Sequence, residues 1–285
     1  MRVEATRPQG WLWVDWWLHN HCAWQCSYCP ELLRTGSIPL PSLTDCQRFV
    51  DELVARAQSL GLRPRIKFTG GEPTEWTSLD DLLSYAHGQG VTIGLRTNAN
   101  VAHDRWQGLC PHLEDLELNY HPEYTQSSVY MLNLARALEH DINVRCVFNL
   151  LPTRFEETEQ LLGKIRDKYP AVSVQRRMLF TDPAANHKPI QQGSDIRIIQ
   201  GSMISYTNYP TIILDKANRF EGFQCSSGQE QLIVDAWGRA ARGHCRQGGH
   251  LGSIGGSIKW PTEPVTCRKP SCDNAFDILA TKISG

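Results

Sequence analysis

No stretch of this chain is long and apolar enough to span a bilayer. The tryptophan-rich run 11–18 comes nearest, but it has eight residues and carries Asp15. A helical span needs about 20. The first ten residues have no apolar core behind their basic side chains, so they do not read as an export signal. Charge of one sign is also lacking: 29 Lys and Arg stand against 30 Asp and Glu, a net charge of −1. That excludes a bulk basic field for gripping a nucleic acid backbone and leaves only local patches such as 239–246. No internal repeat or low-complexity tract appears. Hydrophobic residues at 41% and charged residues at 21% exclude wholesale disorder. A chain of 285 residues is expected to hide about 75% of its unfolded surface, enough for a core without staples. The expectation is a cytoplasmic protein with no membrane partner. In such a reducing compartment its ten cysteines bind metal more readily than they form disulfides.

What is present is a rhythm. Residues 11–18 read as a buried strand. Cys46, Phe49, Val50, Leu53, Val54, Ala57 and Leu60 then recur at helical spacing, with Gly61 behind them. Further strands are predicted at 65–68, 91–95, 113–118, 142–151 and 172–180. Helices fall between them, including one opened by a capping box at Thr153 and Glu156 that buries Phe155, Leu161, Leu162 and Ile165. Six strand–helix alternations predict parallel βαβ units with right-handed crossovers. Six are too few for an eightfold barrel, so the expected fold class is α/β, a partial (β/α)6 TIM-like barrel. After residue 180 the rhythm stops. Residues 181–224 show no clear period, and 231–239 read as a strand turning at Gly238 into a hairpin. The expected division is a barrel core over 1–180 and a small, loop-rich appendage over 181–285.

The first cysteine cluster, Cys22-Ala-Trp-Gln-Cys26-Ser-Tyr-Cys29, follows the first predicted strand. Three soft, anionic thiolates suit an iron–sulfur cluster and leave one metal corner open, as a catalytic site requires. A zinc ion held by these cysteines with His19 or His21 is the alternative. At the end of the second strand stands Phe68-Thr69-Gly70-Gly71-Glu72-Pro73. Its glycines allow a ligand close to the backbone and free two N–H groups. Glu72 can accept a hydrogen bond from an ammonium group. Both motifs lie at carboxyl ends of adjacent parallel strands, where such sheets bind ligands.

The two motifs together resemble the radical S-adenosylmethionine superfamily, with Tyr28 at the aromatic position before the last cysteine. The resemblance implies that Cys22, Cys26 and Cys29 bind a [4Fe-4S] cluster whose open iron chelates S-adenosylmethionine. Cleavage then yields a 5′-deoxyadenosyl radical that takes a hydrogen atom from carbon. It also implies cosubstrate contacts at Tyr28, Gly70, Gly71, Glu72 and Pro73. Arg96, Thr97 and Asn98 end the third strand and resemble the family's polar strand end. Asn119 and His121 follow the fourth strand and are candidates for ribose or substrate. Arg176 or Arg177 is a candidate for the methionine carboxylate, Arg176 being the one assigned. Cys46 and Cys146 read as small core residues, and Cys110 stays unassigned.

The second cluster is Cys225, Cys245, Cys267 and Cys272, spaced C-x19-C-x21-C-x4-C. A loop-rich segment needs a staple, and four thiolates satisfy a [4Fe-4S] cluster or a zinc ion fully. With the Val234–Gly238 turn and Leu251-Gly252-Ser253-Ile254, this segment resembles the twitch form of the SPASM extension, a hairpin and helix around one auxiliary [4Fe-4S] cluster. Six residues separate Gly238 from Cys245, where the family more often has four.

The cofactors expected are therefore S-adenosylmethionine and two [4Fe-4S] clusters, with an electron donor such as a flavodoxin or ferredoxin. The first functional reading is oxidation or isomerisation of a small polar amino-acid, sugar or nucleotide derivative. Alternatives of the same chemistry are a peptide maturase and an enzyme acting on a modified nucleobase, even in DNA. Peptide maturases often carry a leader-binding domain of about eighty residues, and only 21 residues precede Cys22. A zinc-binding interaction module is the reading without catalysis.

Overall fold

The computed structural model describes residues 1–5, 10–178, 188–190, 196–207 and 209–285. After a short first strand β1 (Arg2–Ala5), the chain alternates strand and helix: β2 (Trp11–Trp17), α1 (Leu43–Ser59), β3 (Arg63–Thr69), α2 (Leu79–Gly88), β4 (Thr92–Thr97), α3 (His103–Leu109), β5 (Asp115–Tyr120), α4 (Ser127–Ala137), β6 (Asn143–Leu150), α5 (Phe155–Lys168) and β7 (Ser173–Met178). Strands β2 to β7 lie side by side in chain order, every neighbouring pair parallel. The mixed α/β class and the parallel sheet are as expected from the alternation.

The pleat sorts the side chains. Along β2, Leu12, Val14 and Trp16 are fully buried, and Trp16 meets Phe49 of α1 edge-on at 4.9 Å. Ser42 caps α1 by accepting from the Asp45 N–H, which sets the helix to bury Cys46, Phe49, Val50, Leu53 and Ala57 on the sheet. Full burial of Phe49 alone contributes about 2–3 kcal/mol. Cys46 and Cys146 lie in this core, as predicted.

The capping box expected at Thr153 and Glu156 is not formed. Pro152–Arg154 makes a 3-10 turn instead, the cap position passes to Arg154 without a side-chain bond, and Phe155 is left 44% exposed. Proline at the first position of the turn fixes the backbone before the threonine can act.

Beyond β7 the chain is more ordered than its sequence suggests. The last two residues of the predicted sixth strand, 179 and 180, and much of 181–195 lie outside the described residues. Then come β8 (Lys188–Ile190), β9 (Ile196–Gln200), β10 (Met203–Thr207), α6 (Tyr209–Leu214), β11 (Gln224–Cys225), β12 (Gln231–Val234), β13 (Arg239–Ala241), β14 (His250–Ser253), β15 (Val265–Thr266), α7 (Ala275–Ile278) and β16 (Lys282–Ile283). The predicted hairpin is β12–β13, and it does not stand apart: β12 pairs in parallel with β2, so the large sheet runs β14-β13-β12-β2-β3-β4-β5-β6-β7-β8. A second sheet, β10-β9-β1-β16-β11-β15, joins β1 to late strands.

Candidate active site

The root of the first cysteine loop lies along the Gly-Gly-Glu-Pro turn. The Leu18 N–H donates to the Thr69 carbonyl (2.8 Å), Gly71 to His19 (2.8 Å) and Glu72 to His21 (2.7 Å). This is the physical reason for the glycines, and it differs from the expected one. A Cβ on Gly70 would stand 2.5 Å from the His19 carbonyl oxygen, and one on Gly71 2.0 Å from that of His21. Gly70 also holds φ +127°, which disfavours a side chain. The backbone that approaches so closely is the cysteine loop's own. The Gly71 N–H is engaged by it rather than free for a ligand.

Several side chains shape the loop. Asn20, fully buried, donates to the Leu32 carbonyl, Thr35 and Ser37, and accepts from the Ile38 N–H. The Ala23 N–H donates to both oxygens of Glu75, which also meets His21 at 2.7 Å. The Ser27 N–H donates to Glu123 at 2.7 Å. Cys26 is buried, and Cys22 and Cys29 are half-buried. His121 Nδ1 lies 3.0 Å from the Tyr28 hydroxyl and 3.7 Å from the Cys26 sulfur. Glu75, Glu123 and Asn20 escaped the sequence reading. The one available signal was Glu75, two positions beyond the Pro73 that ends the motif. Replacing Asn20 with Ala strands the buried Ile38 N–H and removes three further loop contacts, with an expected cost of about 2–3 kcal/mol. Chemical denaturation checks the cost, and iron retention after gel filtration checks the loop.

Glu72 is buried and ties two strand ends together. Its Oε1 accepts from the Thr74 N–H (3.1 Å), the Thr74 hydroxyl (2.7 Å) and the Thr97 hydroxyl (2.7 Å); its Oε2 accepts from the Asn98 N–H (2.6 Å). Burial pushes its carboxyl above the usual range, against these donors. Oε1 is saturated, and Oε2 keeps one lone pair for a further donor. Close by, two atoms of sequence-predicted residues are buried without a partner among the described residues: Asn98 Nδ2 and Asn119 Oδ1. A donor and an acceptor left bare inside a protein ask for a ligand.

The two candidate arginines face opposite ways. Arg176 points toward α5 and makes a double hydrogen bond with Glu159 at 2.8 and 2.7 Å, away from the other candidates. Arg177 faces the other side of the sheet, beside Glu117 at 3.9 Å. There Glu117 also takes Lys67 (2.7 Å) and Arg96 (2.6 Å). Burial would raise the Glu117 carboxyl, but Arg96, Lys67 and Arg177 overcome it and hold it well below the usual range. The carboxylate therefore adds stability above its unfolded value of about 4.3 and loses it as pH falls below that. Glu117→Gln is expected to cost about 2 kcal/mol at pH 7, with both main partners partly exposed, and to flatten the acid limb below about pH 4. Denaturation midpoints across pH read both effects.

The four later cysteines come together. Cys225, Cys245, Cys267 and Cys272 line one cavity with Ser227, Arg242, Asp277 and Lys282. Buried Asp277 accepts from the His244 and Cys245 N–H groups at 2.8 and 2.6 Å. Lys282, equally buried, donates to three carbonyls of the α7 turn and lowers the cost of a thiolate at Cys272. Among the described residues no three His, Cys, Asp or Glu side chains are placed to hold a single metal ion, so a zinc ion would require the thiols to draw together. At both clusters burial pushes thiols up, Cys22 and Cys272 to about 12, Cys26 and Cys245 to about 11. Thiolates there need a cationic group, and iron–sulfur chemistry fits that donor set. His244, next to Cys245, crosses to the large sheet, where its Nε2 meets Asp15 at 2.9 Å.

Neither protein-family models nor curated proteins match the sequence. Solved structures do. The anaerobic sulfatase-maturating enzyme anSMEcpe with bound AdoMet aligns at a TM-score of 0.56 and 10% identity, over 87% of this chain and 79% of that one. The same protein with AdoMet and the Kp18Cys peptide gives 0.55 and 10%, over 87% and 78%. Streptococcus suis SuiB gives 0.42 and 10%, over 88% and 66%, too loose to argue from. No helix among the described residues is long and apolar enough to cross a membrane. At such low identity the likeness speaks for architecture, and the fold of this chain is that of the radical S-adenosylmethionine enzymes.

Proposed function

We propose that this chain is a radical S-adenosylmethionine enzyme that removes a hydrogen atom from a side chain of a peptide. The observation that carries the reading is the docking of the three-cysteine loop onto the Gly-Gly-Glu-Pro turn, with Asn98 Nδ2 and Asn119 Oδ1 lacking a partner among the described residues. Cys22, Cys26 and Cys29 would hold a [4Fe-4S] cluster, and Cys225, Cys245, Cys267 and Cys272 an auxiliary one. With S-adenosylmethionine bound, the first cluster supplies hydrogen-atom abstraction from an unactivated carbon. Glu72 orients the methionine amino group through the free lone pair of Oε2. Arg177, not Arg176, receives the methionine carboxylate, because it faces the same side of the sheet as Asn119. Asn98 and Asn119 bond the ribose. Buried Tyr28 and half-buried His121 shield the loop from water.

The small polar substrate expected from sequence finds no support in the neighbours. The anSMEcpe structures hold peptides, and the peptide alternative takes its place. Residues 1–180 would act as the core and 181–285 as the cap carrying the auxiliary site. A flavodoxin or ferredoxin would deliver electrons. Anaerobic reconstitution tests the reading: about eight irons per chain are expected, with a change in the paramagnetic signal on adding S-adenosylmethionine. Colourless protein binding two zinc ions would overturn it in favour of the interaction module.

A further inference from the structure

We infer that the substrate is gripped through an acidic residue, its carboxylate docking on Lys67 and Arg96. The inference rests on the proposed function and adds to it what the peptide must carry.

The face of the sheet turned away from the helices gathers cations. Lys67, Arg96 and Arg177 all converge on one carboxylate, that of Glu117. The next carboxylate on this face, Asp15, is bonded to His244 and also attracts Lys67 and Arg96. If the methionine carboxylate takes Arg177, Lys67 and Arg96 keep Glu117 as their hydrogen-bonded partner among the described residues.

Exposure says which way the charge faces. The side chain of Glu117 is 8% exposed, but those of Lys67 and Arg96 are 35% and 36% exposed. The acid is at the back and its two partners reach forward. Lys67 and Arg96 each repel the other, and Glu117 holds them together. The Arg96 guanidinium gives Glu117 its Nε, at 2.6 Å, and a weaker contact from Nη2, at 3.4 Å. That leaves donors on its far edge. A planar fork beside an ammonium suits a carboxylate. Trp17 stands on the same face, 5.4 Å from His244, and offers an apolar wall for the rest of a side chain.

The test uses reconstituted protein with S-adenosylmethionine and three probes: acetyl-Ala-Glu-Ala-amide, its Gln counterpart, and the dinucleotide TpT. The Glu peptide is expected to bind about tenfold tighter than the Gln peptide by titration, a preference that fades with added salt. Lys67→Met and Arg96→Met should each erase the preference, and Lys67→Arg should restore most of it. Equal binding of the two peptides to the unsubstituted protein would overturn the inference, and that comparison needs no variant. A preference unmoved by both Met variants would overturn it too. TpT binding that depends on Lys67 and Arg96, with no such dependence for the Glu peptide, would replace the carboxylate with a phosphodiester. Slow S-adenosylmethionine cleavage without peptide, on the same sample, reports on the proposed function separately.

Discussion

Replacing Cys22, Cys26 and Cys29 together with Ala is expected to drop the iron content from about eight to about four per chain and abolish S-adenosylmethionine cleavage. The melting temperature should hardly move. The trio sits on a loop after β2, where Cys26 and Cys29 join Tyr28 in a small cluster separate from the main core. The loop's shape comes from Asn20, Glu75 and Glu123, none of which is a thiol. Replacing Cys225, Cys245, Cys267 and Cys272 is expected to do the reverse. That segment is built from strands of two residues, β11, β15 and β16, and a helix of four, α7. Pieces this short cannot hold themselves, and the chain around the thiols depends on whatever the thiols bind. The quartet variant should lose the protection of its backbone amides in β11, β15, α7 and β16 in hydrogen exchange, while β12, paired with β2, keeps its own. Iron analysis and exchange on the two variants check the asymmetry. Equal melting and equal exchange would show that the later cysteines are not a staple.

Strands β2 to β6 were legible because each carries a run of Val, Ile, Leu, Phe or Trp between turn signals, and each pairs with the next strand in sequence. The short strands β9 and β10 were not. Strand β9 pairs with β1, nearly two hundred positions earlier, and nothing local in Ile196–Gln200 announces that partner. The arginine pair shows a finer limit. Arg176 and Arg177 are adjacent, and a one-residue difference in pleat decides which shares a face with Glu117. Sequence named the dipeptide and could not tell the two faces apart. With Glu72 the residue was legible and its neighbours were not: Thr97 and Asn98 were picked as ligands of the cosubstrate, yet both also bond Glu72. Hydrogen bonds across strands belong to the folded sheet, not to any stretch of chain.

Gly71→Ala is expected to be among the most damaging methyl groups that could be added at the described glycines. Its Cβ would lie 2.0 Å from the His21 carbonyl oxygen, 2.6 Å from the carbon and 2.8 Å from the nitrogen. Comfortable contacts between carbon atoms begin at about 3.5 Å. All three atoms are backbone, so no rotamer can relieve the clash. Gly71 has no left-handed φ, so the cost is collision rather than torsion. The cysteine loop and the Gly-Gly-Glu-Pro turn must part by more than an ångström. That breaks the bonds from Gly71 to His19 and from Glu72 to His21. Overpacking of about 1–3 kcal/mol plus two lost hydrogen bonds of about 1 kcal/mol each gives about 3–5 kcal/mol. A chain of this size should then melt about 6 °C lower or more. The same parting moves Cys22, one residue beyond His21, so cleavage of S-adenosylmethionine should fail even well below the melting point. Gly163→Ala in α5 is the control: its Cβ meets nothing within 4 Å, and it should stabilise the helix by up to about 1 kcal/mol. Should Gly71→Ala melt with the unsubstituted protein and still cleave, the two loops cannot be packed backbone to backbone.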